Sequence, residues 1–103
     1  MSEDEKKPMK EMRMRIKLDD ATAKGTYANT SFVHHNETEF VLDFIYAEPA
    51  RGEGLVVSRV ITNPRAAKQL ALGLSALVSG YEKKFGEIAL SRMTRPVDPG
   101  NYN

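Results

Sequence analysis

Residues 38–47, TEFVLDFIYA, are apolar on both sides of a strand. Successive strand residues point to opposite faces of a sheet. Phe40, Leu42, Phe44 and Tyr46 therefore share one face, and Val41, Asp43, Ile45 and Ala47 share the other. Residues 55–62, LVVSRVIT, repeat this two-sided character, with Leu55, Val57 and Ile61 set against Val56 and Val60. Strands of this kind need cover on both faces. The chain offers one long helix, and one helix covers one face. A large exposed apolar face is rare in a monomer and marks an interface, so the sequence calls for a second surface from outside the chain.

The helix is sharply bounded. Asn63 is suited to cap free backbone donors, and Pro64 fits the first helical position, where no N–H is needed. The spacing predicts a helix over residues 64–85 that stops at Gly86, a residue suited to a left-handed C-terminal position. Lys83 and Lys84 fall in the last turn, where they complement the helix dipole. At ~1.5 Å per residue such a helix is about 33 Å long. Ala67, Leu70, Ala71, Leu74, Leu77, Val78, Tyr81 and Phe85 form one apolar stripe at helical spacing. Beside it lie Ala66, Gln69, Gly73, Ala76 and Gly80, small enough for the most part to let another backbone approach. Each interior glycine costs roughly 1 kcal/mol relative to alanine, which gives weight to a packing role.

Two further strands are expected upstream. Met12, Met14, Ile16 and Leu18 alternate with Arg13, Arg15 and Lys17, a period of two with one apolar and one basic face. Asp19 and Asp20 end that pattern. Residues 26–35, TYANTSFVHH, are rich in strand-favouring types, and Asn36-Glu37 reads as a turn tip. Pro49, Gly52 and Gly54 mark a loop. The expected fold is α+β: a four-stranded, mostly antiparallel sheet (12–18, 26–35, 38–47, 55–62) with helix 64–85 packed on one face. Residues 1–11 read as a flexible charged arm, 12–90 as a single domain and 91–103 as a flexible tail.

Composition narrows the chemistry. Among 103 residues, 15 Lys and Arg stand against 14 Asp and Glu, a net charge of +1. That balance argues against a polybasic nucleic-acid coat. The chain has no cysteine, which excludes disulfides and thiolate metal sites. No apolar run reaches the ~20 residues of a membrane helix, and the charged opening MSEDEKKPMKEMR shows no secretory signal. A cytoplasmic location and no membrane partner are expected.

The candidate chemical groups are few. His34 and His35 are adjacent, so in a regular strand they point apart and cannot chelate one metal together. No metal and no cofactor is expected, and no catalytic residue set is visible, so the chain does not read as an enzyme. Asp43 and Arg59 each sit within an apolar strand, where an unpaired charge is costly, and they read as a structural ion pair. Arg13, Arg15 and Lys17 form a basic face that a dimeric β-ribbon nucleic-acid binder would use.

Several local strings carry a resemblance: Tyr27-Ala28-Asn29, Glu39-Phe40, Leu42-Asp43-Phe44, Ser58-Arg59-Val60, Pro64, Ala67-Lys68, Tyr81-Glu82 and Phe85-Gly86. Together, over residues 12–88, they resemble a family of short bacterial and archaeal proteins known as domain of unknown function three-four-six-seven. The resemblance implies a shared scaffold role for Asp43, Arg59 and the Asn63-Pro64 helix start, and no activity. In order of elements alone, the chain is also similar to the SecB export chaperones, oligomers that bind unfolded clients.

The function expected from these readings is a non-enzymatic binding or assembly module. It would be a homo-oligomer, a dimer first, with chaperone-like protein binding through apolar sheet surface. The candidate interface comprises Val41, Ile45, Val56 and Val60 on the sheet, Gly73, Ala76 and Gly80 on the helix, or both sets. The alternative is nucleic-acid binding through Arg13, Arg15 and Lys17. The partners are then a second copy, another protein or, less favoured, nucleic acid.

Overall fold

The computed structural model describes residues 13–90. The expected arm and tail, 1–11 and 91–103, lie outside the described residues. A four-residue helix, α1 (Asp20–Ala23), is followed by β1 (Thr30–His35), β2 (Phe40–Glu48), a 3-10 turn at Pro49–Arg51, β3 (Glu53–Thr62) and α2 (Pro64–Phe85). The fold is α+β, with a three-stranded antiparallel sheet in the order β1-β2-β3 and one long helix.

Local chemistry explains the connections. At the β1–β2 turn, Asn36 Oδ1 accepts from the Thr38 and Glu39 backbone N–H groups at 2.9 Å each, and Asn36 N–H donates to Glu39 O at 3.0 Å. An asparagine side chain thus replaces the bonds that the turning backbone gives up. At the β2–β3 turn, Gly52 takes φ 66° and ψ 27°, the left-handed conformation that a side chain disfavours. Asn29 fixes the entry to β1: its amide donates to Ala47 O at 3.1 Å and its carbonyl accepts from Ala47 N–H at 2.8 Å.

Two expectations are corrected. The fourth strand at 12–18 does not form: residues 13–18 have no helix or strand, and Met14, Ile16 and Leu18 are 60%, 82% and 67% exposed; Met12 lies outside the described residues. Its period of two is present, but a strand also needs an edge to bond to. The helix does not cover the sheet either. It starts and stops where its capping residues place it, with Asn63 Oδ1 accepting from Ala66 N–H at 2.8 Å. Gly86 accommodates the exit at φ 104° and ψ 163°, outside the left-handed helical region expected of it. Yet none of the 22 helix residues is buried. Leu70, Leu74, Leu77, Tyr81 and Phe85 of the stripe are all exposed.

The core is correspondingly small. Among the described residues, the buried apolar side chains are Leu42 and Ile45, both on the central strand. The radius of gyration is 17.2 Å, whereas about 13 Å is typical of a compact domain near 100 residues.

Candidate functional site

The register brings Asp43, Arg59 and His34 to one place on the sheet. Asp43 on β2 stands opposite Arg59 on β3 and Phe32 on β1. His34 stands two residues along from Phe32, on the same face. Asp43 has no exposed surface, while the Arg59 side chain is 52% exposed and that of His34 40%. Arg59 Nε donates to Oδ1 of Asp43 at 2.7 Å and Nη2 donates to Oδ2 at 2.8 Å. The planar guanidinium matches the carboxylate with two near-parallel bonds, the strong form of this contact. His34 Nε2 lies 3.6 Å from Oδ2, beyond hydrogen-bond distance, and is a buried atom without a hydrogen-bond partner among the described residues.

The two bonds join the central strand to β3 across the sheet. Both oxygens of the Asp43 carboxylate accept from the one guanidinium. Among the described residues no group of three His, Asp or Glu side chains converges to hold a metal. His35, on the opposite face, stacks its ring on Phe40 at 4.9 Å. The approach of His34 to Asp43 was not foreseen from sequence. The signal was the strand register: with Asn36 at the turn, position 34 lies on the face of position 43.

The expected interface residues are divided by a register shift between Phe44 and Ile45. Beyond it, Ile45 pairs with Val56, whereas before it Leu42 pairs with Val60. Val41, Ile45 and Val56 therefore share the face of Asp43, and Val60 lies on the other, with Leu42. The four sheet residues of the expected interface do not form one surface. Ile45 is buried at 7% exposure, Val41 is half-buried, and Val56 and Val60 are 40% and 45% exposed. On the helix Gly73, Ala76 and Gly80 are exposed, and a Cβ built on either glycine meets nothing within 4 Å. Among the described residues of one chain, the space beside both glycines is open. Arg13, Arg15 and Lys17 are exposed as well, on a segment that forms no strand.

A family model described as "Protein of unknown function (DUF3467)" matches residues 1–90. The chain belongs to this family. No curated protein and no solved structure matches it. Within DUF3467, then, the match spans all the described residues, the strand pair carrying Asp43 and Arg59 and the capped helix included. No helix among the described residues is long and apolar enough to cross a membrane.

Proposed function

We propose that this protein is a non-enzymatic assembly module whose working form is a homo-oligomer, a dimer in the simplest case, with the apolar stripe of α2 seated on the sheet of a second copy. The observation that carries this reading is the helix itself. In proteins a helix takes most of its stability from packing its apolar face, and α2 buries none of its side chains. Nineteen large apolar side chains stand exposed among the described residues, far beyond the scattered few of a monomer. The sheet has the complementary need, with Val33, Tyr46, Leu55 and Val60 exposed on the face opposite Asp43. Twofold exchange of helices satisfies both surfaces at once and closes the assembly. Apolar surface left over at the rim would serve chaperone-like binding of another protein.

Light scattering across a dilution series, at low and high salt, tests this. The expected mass is an integral multiple of 11.5 kDa that persists on dilution and is insensitive to salt, because apolar contact is not screened. A monomer with the full helix signal in circular dichroism refutes it.

A further inference from the structure

We infer that residues 13–18 are the fourth strand of a second copy's sheet, added along the outer edge of β1. The inference rests on the oligomeric reading above. The segment has the pattern of a strand with one buried face, Met14, Ile16 and Leu18 against Arg13, Arg15 and Lys17. In its own chain it makes no backbone hydrogen bond among the described residues. A strand in that state lacks only an edge.

β1 is the edge it fits. Asn36 N–H bonds inward to Glu39 O, and antiparallel bonding alternates along a strand. Ser31, Val33 and His35 consequently direct their N–H and C=O groups outward. β1 has six residues, TSFVHH, and the segment 13–18 has six. β1 carries no lysine, no proline and no carboxylate, the usual devices that keep a foreign strand off an edge. β3, the other edge, presents Arg59, a cation that would stand beside three more, and is followed at once by α2. With Met14, Ile16 and Leu18 on the face of Val33, the basic side chains fall on the face of Asp43. The sheet then has four strands, and the apolar side of the added strand extends the surface offered to α2.

The absence of cysteine allows a unique label. Lys17→Cys, at an exposed position, is spin-labelled and refolded at equal ratio with isotope-labelled wild-type chain. The expected result is loss of the Ser31–His35 amide signals nearest the label in the wild-type copy, with Arg13→Cys quenching the opposite end of β1. If light scattering shows an oligomer and those signals stay intact, or if both labels quench the same residues, the strand exchange is refuted and the helix-mediated assembly stands. A monomeric wild type refutes both.

Discussion

The sheet and the helix of this protein are formed with equal regularity and finished to different degrees. In the sheet, residues 40–45 of the central strand have partners on both β1 and β3, and Asp43, the one fully buried side chain among the described residues, is met by two hydrogen bonds from Arg59. In α2, both ends are capped but no side chain is buried. Local signals suffice to start and stop a helix; they do not supply what it packs against. The difference separates secondary structure, complete within one chain, from tertiary structure, which the chain leaves open on the helix stripe and the sheet face.

The largest expected effect tests the open half. Leu74 and Leu72 are both exposed, at 55% and 63%, but only Leu74 lies in the apolar stripe. Leu74→Asp places a charge where the partner's sheet would exclude water. Dissociation should strengthen by about three orders of magnitude, given the several kcal/mol cost of an unpaired buried charge. Leu72→Asp should leave the mass unchanged. Sedimentation of the two variants beside wild type reads this directly, and equal behaviour of the pair removes the distinction on which the seated helix rests.

The closed half is tested next. Arg59→Met leaves the Asp43 carboxylate buried and without its guanidinium, at a cost of about 3 kcal/mol in unfolding by urea. The double change Asp43→Leu with Arg59→Met should be milder than Arg59→Met alone, because both charges leave together. If the double variant is the weaker of the two, the pair contributes net stability beyond mutual compensation, and the sheet depends on it more than the helix depends on its partner.

The same division sets what could be read in advance. The helix 64–85 was legible to the residue because Asn63, Pro64 and Gly86 act on the backbone next to them. The strands 38–47 and 55–62 were legible in place because periodicity is local; their bounds moved only by a few residues, to Phe40–Glu48 and Glu53–Thr62. The segment 12–18 shows the limit. Its alternation of apolar and basic residues is clean, but pairing is a property of two segments, and no partner edge is written into one of them. The faces of Val56 and Val60 were hidden for a related reason. A shift of one residue between Phe44 and Ile45 sends every later side chain to the other face, and no residue type announces it. His34 came beside Asp43 by the same long-range register, although each histidine's opposite orientation followed from alternation alone.

The smallest effect is a matter of sign, and it locates the boundary between the two halves. Gly80 is open on all sides within one chain, and it lies off the stripe, beside Gly73 and Ala76. If α2 meets its partner through the stripe alone, Gly80→Ala adds helix propensity and costs no contact. Stability at fixed protein concentration should then rise by about 1 kcal/mol, a shift of several degrees in a thermal scan for a domain of this size. A fall of the same size would mean that the small residues touch another backbone, because an added methyl group then separates surfaces that packed without it. Repeating the scan at a tenfold lower concentration adds a check: a propensity gain is the same at both, whereas a contact weakened enough to let the subunits part appears as a shallower dependence on concentration. The expected outcome is the uniform gain, with the stripe carrying the interface and the glycine face left to solvent.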